Sequence, residues 1–282
     1  MKKDTLYIFA LLLGGIGLVI YLNNLPKQVL KEKNRLLEID TPSSSIEDPL
    51  LHNEQGVHKS DSQQQQKIAV LKAKYNAFSN KEKKRIFADS LALSYLILND
   101  FDSSTFFAEQ AVLLDNGSLI SKNRAANYYY FAFSSEMNKS KRDQYGKKAI
   151  AYYKELGSDL NLTSKTRLGV LLTKTQQPPM EGILMLREVV EKDPTHVEAL
   201  LNLGEFSMIT HQYDKAVGRF NSVLESDPTN IKAIIYLGDC LAEMGRREDA
   251  KAMYQKGLEV SRTEKFFTSL LTDKINKLTL KK

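Results

Sequence analysis

The chain has 282 residues, 42% hydrophobic and 26% charged, which is the composition of a folded protein and excludes a wholly disordered or fibrous one. A lone cysteine, Cys240, excludes an internal disulfide and a multi-cysteine metal site. The scattered histidines His52, His58, His196 and His211 form no metal centre, so neither metal nor cofactor is expected. The net charge of +6 is dispersed, with short excesses at Lys139 to Lys148 and at Lys274, Lys277, Lys281 and Lys282; no continuous basic stripe with aromatic platforms suggests a nucleic-acid groove.

In chain order, residues 1–4 form a short tail carrying Lys2 and Lys3. Thr5 to Leu22 is an uncharged apolar run of 18 residues, spanning about 27 Å as a helix, enough for one membrane crossing. It is longer than a signal-peptide core and no Ala-x-Ala site follows, so an uncleaved anchor is expected, and the membrane is the first expected partner. The cations Lys27, Lys31, Lys33 and Arg35 just beyond it argue mildly against export, whereas the short tail resembles a secretory start. The expected location is a bacterial inner membrane, with the bulk of the chain extracytoplasmic. Ala10, Gly14, Gly15 and Gly17 would permit helix pairing, but small residues are common in spanning helices and oligomerisation through the anchor has no further support.

Residues 23–66 are expected to be a polar, flexible stalk. The stretch from Asp40 to Gln66 is rich in Ser, Gln, Pro and acidic residues and has too few apolar ones to offset chain entropy. His52 and His58 are solvated in this reading. From Lys67 to the end the pattern is helical, with no alternating strand signal.

Internal repetition organises this helical part. Residues 197–230 align over 231–264 without a gap at a period of 34, with Leu203-Gly204 on Leu237-Gly238, Ala216 on Ala250 and Phe220 on Tyr254. Such a period describes antiparallel helix pairs stacked so that each buries its neighbour's apolar face. The pattern resembles the tetratricopeptide repeat, through Leu-Gly, the small Ala, the aromatic four residues later, and Asp227-Pro228 near the end. Residues 163–196 keep Asp193-Pro194 but shift Leu168-Gly169 by one place. Degenerate pairs cover 85–118, with Leu91, Ala92, Tyr95 and Ala111 in register, and 119–160, with Ala149 and Tyr153. Lys265 to Leu280 places Phe267, Leu270, Leu271, Ile275 and Leu278 at helical spacing, as a capping helix would. The expected fold is all-α: a TPR-like α-solenoid of about five helix pairs with a C-terminal cap, preceded by one transmembrane helix.

The resemblance implies a concave groove lined by the first helix of each pair, holding a protein or peptide partner. Its best-defined chemistry is a clamp on a C-terminal carboxylate. At those positions stand Arg167, Leu171, Asn202, Lys232 and Tyr236, so the clamp is incomplete: Leu171 replaces an amide and Tyr236 a cation. With Arg167, Asn202, Lys232 and Tyr236, the residues Glu198, Glu205 and Asp239 make seven groove candidates, and the three carboxylates make the surface mixed or acidic, suiting a partner with basic residues or an amphipathic helix. The alternative is that Glu198, Glu205 and Asp239 are ordinary solvated helix residues. Tyr128-Tyr129-Tyr130 and Tyr152-Tyr153 fit partial core packing better than an exposed recognition surface.

No catalytic signature is present: no phosphate-binding glycine loop, no nucleophile elbow, no His-Glu-x-x-His. Cys240 has neither a base nor an activating cation nominated beside it and reads as packing. His196 and His211 read as capping or surface residues. The expected function is a membrane-tethered, non-catalytic interaction scaffold or assembly factor. An accessory role in cytochrome c maturation, presenting an apocytochrome, follows from architecture alone, and association with nucleic acid is a more remote alternative.

Overall fold

Short polar caps start the helices of the protein. Asn80, Asp100, Ser118, Asn138, Asn161, His196 and Asn230 each accept a backbone N–H from three residues further on, satisfying a donor that the first turn leaves over. In the computed structural model, which describes residues 57–280, these caps begin seven of twelve helices, and no strand occurs among the described residues. The helices are α1 (Val57–Ala77), α2 (Lys81–Ile97), α3 (Phe101–Leu114), α4 (Leu119–Ser135), α5 (Lys139–Leu156), α6 (Leu162–Thr175), α7 (Met180–Lys192), α8 (Val197–Ile209), α9 (Tyr213–Ser226), α10 (Ile231–Glu243), α11 (Arg247–Val260) and α12 (Lys265–Leu280). From α2 to α11 they form five antiparallel pairs.

Two small-residue devices keep the period. Asp193 and Asp227, each followed by Pro and Thr, accept the backbone N–H of Thr195 at 3.0 Å and of Thr229 at 3.1 Å, so the same turn leads from one pair to the next. Within the pairs, His211 (φ 57°) and Gly245 (φ 77°) hold the same left-handed corner between the two helices, at no steric cost only for the glycine.

The last three pairs are then locked by an aromatic or leucine knob against a glycine. A Cβ added at Gly204 would lie 2.4 Å from the Phe220 ring, and one at Gly238 would lie 2.4 Å from the Tyr254 ring. Gly169 plays this part against Gly182 and Leu186, at 3.1 Å from each. Ala149 with Tyr153, Ala216 with Phe220 and Ala250 with Tyr254 are all buried, as the repeat pattern anticipates. Neighbouring pairs share these cores. The first helices of successive pairs pack directly on one another and no second helix packs comparably on the next second helix, which puts α2, α4, α6, α8 and α10 on the inside of the bend.

The stack is capped at both ends. α12 packs on α11, burying Phe267 and Leu271 and leaving Ser269, Asp273 and Asn276 to solvent. The other cap corrects the boundary read from sequence. Residues 57–66, expected to be the end of a flexible stalk, belong to α1, which packs on α2, buries Ile68 and donates the Gln64 amide to the Ser94 carbonyl at 3.4 Å. Its exposed Ser62, Gln63, Gln65 and Gln66 supply the polar outer face that an end helix needs, a composition that a tether shares. The tail, the expected anchor at 5–22 and the stalk up to residue 56 lie outside the described residues. No helix of the described residues is long and apolar enough to cross a membrane.

Candidate functional site

The inner face is a grid. Counting from the start of each first helix, the sixth residue is Arg124 in α4, Arg167 in α6, Asn202 in α8 and Tyr236 in α10. The eighth is Ala126, Gly169, Gly204 and Gly238, the place of closest approach to the second helix. The one-place shift noted at Leu168-Gly169 is therefore a spacing of 35 rather than 34 between Gly169 and Gly204, and Arg167 is the structural counterpart of Asn202 and Tyr236.

Along this rung Arg167 is buried, whereas Arg124, Asn202 and Tyr236 are half-buried. Arg124 reaches the buried Asp89 at 3.4 Å, and Asp89 also takes a bond from Arg85 at 2.8 Å. Burial raises the Asp89 carboxyl above the usual carboxylate range, outweighing the opposing pull of Arg124 and Arg85. Arg167, only 6% exposed, donates Nη1 to Asn127 Oδ1 at 2.6 Å, and the same oxygen accepts from the Tyr153 hydroxyl at 2.7 Å. The guanidinium lies 5.5 Å from the Tyr130 ring centroid and 5.0 Å from that of Phe131. Buried Nε atoms of both Arg124 and Arg167 have no hydrogen-bond partner.

The seven candidate residues separate on this grid. Arg167 is a buried structural cation, not an open groove cation, and Leu171 is fully buried, so the pieces of a carboxylate clamp do not meet at one surface. Glu198, half-buried, accepts from the Tyr130 hydroxyl at 2.7 Å. Asp239 is held by the Tyr254 hydroxyl at 2.7 Å and by Lys274 of the cap at 2.7 and 3.0 Å, so it ties α10 to α11 and α12 rather than standing ready for a ligand. Four candidates remain in reach of solvent: Asn202 and Glu205 half-buried on α8, Lys232 exposed and Tyr236 half-buried on α10. Asn202 donates to the Glu198 carbonyl at 2.8 Å, and the Tyr236 ring packs 5.4 Å from that of Phe220.

Sequence reasoning missed Asp89, Arg124 and Asn127, and it read Tyr130 as core packing without its bond to Glu198. The signal for Arg124 was its place in the helix, five residues after the Leu119 start, as Asn202 is after Val197. Nothing local in the sequence pairs Tyr130 with Glu198, 68 residues away.

The other sequence readings find these places. Tyr128, Tyr129, Tyr130 and Tyr153 are buried and Tyr152 is half-buried. Cys240 is fully buried, and burial, reinforced by the Asp239 charge, pushes its thiol up to about 11. His196 caps α8 and His211 contacts the Tyr213 hydroxyl at 2.9 Å. Among the described residues no group of His, Cys, Asp and Glu is arranged to hold a metal. A depression of about 510 Å³ near Arg262, Lys265, Thr268, Asp273 and Asn276 lies along the polar side of α12 and has no buried donor directed into it.

The described residues thus form a TPR-like α-solenoid, a fold of protein-interaction scaffolds. A tetratricopeptide repeat family model matches residues 208–265, from the end of α8 to the start of α12. Among solved structures, PilW, titled a widely conserved type IV pilus biogenesis factor, is 20% identical with a TM-score of 0.54, over 69% of this chain and 86% of that one. A thermophilic TPR protein of Thermus thermophilus is 16% identical with a TM-score of 0.52, over 67% and 97%. MamA, from residue 41 to its end, of Desulfovibrio magneticus RS-1 is 15% identical with a TM-score of 0.51, over 67% and 99%. These likenesses concern the fold. No curated protein sequence matches the chain.

Proposed function

We propose that this chain is a non-catalytic scaffold or assembly factor that holds a peptide or protein on the inner face of α8 and α10. One observation carries the reading: Asn202 of α8 and Tyr236 of α10 stand at the same sixth position of adjacent first helices, with Glu205 and Lys232 on the same two helices, all within reach of solvent, while Arg167 at that position of α6 is buried and Arg124 of α4 is bound to Asp89. An amide, a carboxylate, a cation and an aromatic ring side by side suit a polypeptide, which offers both backbone polar groups and side chains. Substituting Asn202→Ala together with Lys232→Ala is expected to abolish partner capture by chemical crosslinking while leaving the helical circular dichroism unchanged. Capture of every partner by the double variant would overturn the assignment.

The apolar run Thr5 to Leu22 supports the further reading of a scaffold tethered to a bacterial inner membrane with its repeats extracytoplasmic. Protease added to intact spheroplasts is then expected to cut within residues 40–56 and release the repeat domain. Full protection, with cutting only after lysis, would place the repeats in the cytoplasm.

A further inference from the structure

In a stack of helix pairs each pair ordinarily touches only its immediate neighbours. Tyr130 departs from this. It lies on α4, in the second pair, and its hydroxyl donates at 2.7 Å to Glu198 of α8, in the fourth pair. Arg167 of α6 lies between, its guanidinium against the rings of Tyr130 and Phe131 and its Nη1 bound to Asn127 of α4. Burial first, and the Glu198 carboxylate second, raise the Tyr130 hydroxyl far above its ordinary value, so it stays protonated and remains a donor. One hydrogen bond thus closes three successive inner helices over a single buried cation.

The closed arrangement leaves the Arg167 Nε without an acceptor, so it is not the best bonding state available to that guanidinium. Other tyrosine hydroxyl links stay within one pair or between neighbouring pairs: Tyr145 of α5 to Asp102 of α3, Tyr129 of α4 to Glu109 of α3, Tyr128 of α4 to the Asp89 carbonyl of α2, Tyr153 of α5 to Asn127 of α4, and Tyr254 of α11 to Asp239 of α10. Removing any of those loosens one contact within a continuous core. Removing the Tyr130 link breaks the hydrogen bond that joins α4 to α8 across α6, on which both helices pack.

We propose that Tyr130, Arg167 and Glu198 form a latch that holds the inner face closed from the second to the fourth pair, and that release of Glu198 opens the stack there and uncovers the Arg167 guanidinium. The latch rests on the inner face being the working surface, since its opening would widen the approach to Asn202 and Glu205 on the helix that carries Glu198.

The test needs no partner, so it can fail independently of the scaffold reading. Spin labels at Ser134→Cys on α4 and Ile209→Cys on α8, both exposed sites, report the separation of the two helices, while the buried Cys240 stays unlabelled. A single narrow distance distribution is expected with Tyr130 intact. Tyr130→Phe should broaden or lengthen it and speed amide exchange in the first turns of α8 about tenfold or more, as for loss of a hydrogen bond to a charged group. Tyr145→Phe, which removes a tyrosine–carboxylate bond between adjacent pairs, should change neither readout. Should Tyr130→Phe fail to fold, Glu198→Ala carries the same expectation from the other end. Unchanged distances and unchanged exchange in the folded variants would overturn the latch, and so would an equal response in Tyr145→Phe.

Discussion

Phe220→Ala is expected to lower the stability of the repeat domain by about 3–5 kcal/mol, seen as a fall in Tm of roughly 10 °C. Phe220 has no exposed surface and lies so close to α8 that no Cβ fits at Gly204. Its ring also supports Tyr236 at 5.4 Å, so the cavity would undermine the open face as well as the core. The Gly204 contact supplies a second check. Gly204→Ala alone forces a methyl to within 2.4 Å of the ring and should cost about 1–3 kcal/mol. In the Gly204→Ala/Phe220→Ala double variant that methyl enters space the ring has left, so the two costs should not add. Full additivity by chemical denaturation, or a cost below about 1 kcal/mol for Phe220→Ala alone, would mean that the knob-on-glycine contact does not set the pair geometry.

Arg124→Met should destabilise the protein by about 3 kcal/mol near neutral pH, because it strips one of two cations from a carboxylate that is only 2% exposed. The cost stays at the lower end of the range for breaking buried pairs because Arg85 remains at 2.8 Å. Its pH dependence has a definite sign. The Asp89 carboxyl is raised on folding, so the folded state holds the proton more tightly, and the contribution of Asp89 to stability declines as pH rises from the ordinary carboxylate value through the folded one. Loss of Arg124 removes a charge that opposes this rise, and so widens that window. Urea unfolding at pH 4.5 and pH 7 should therefore show a larger difference between variant and wild type at pH 7. An equal or larger difference at pH 4.5 would contradict the assignment of Asp89 as a buried, partly compensated charge.

The contrast between these two sites explains what could be read in the sequence. Gly204 and Phe220 recur as Gly238 and Tyr254 one repeat on, because every pair must solve the same packing problem with the same spacing. Periodicity therefore conveys the helix pairs, their knobs and the C-terminal cap. Asp89, Arg124, Tyr130 and Glu198 do not recur. They form bonds between different repeats, and a pattern that compares each repeat with the next carries no information about contacts peculiar to one pair.

The same limit acted on the candidate site. Arg167 and Asp239 stand at positions that face inward in the family, and position alone does not tell that one is buried beneath Tyr130 and the other bound to Lys274. The N-terminal cap failed for another reason: glutamine and serine suit both a solvated tether and the outward side of an end helix, and only the packing of Ile68 against the stack distinguishes them.

The central claim, that the inner face of α8 and α10 carries the partner, is tested most directly by site-specific photocrosslinking in intact cells. A photoreactive amino acid at Glu205 faces the proposed groove, and one at Gln255, exposed on α11, faces away from it. A discrete adduct is predicted from position 205 alone, and it should disappear when Asn202→Ala and Lys232→Ala are introduced. An adduct from position 255 alone, or one at 205 that persists in the double variant, would contradict the account.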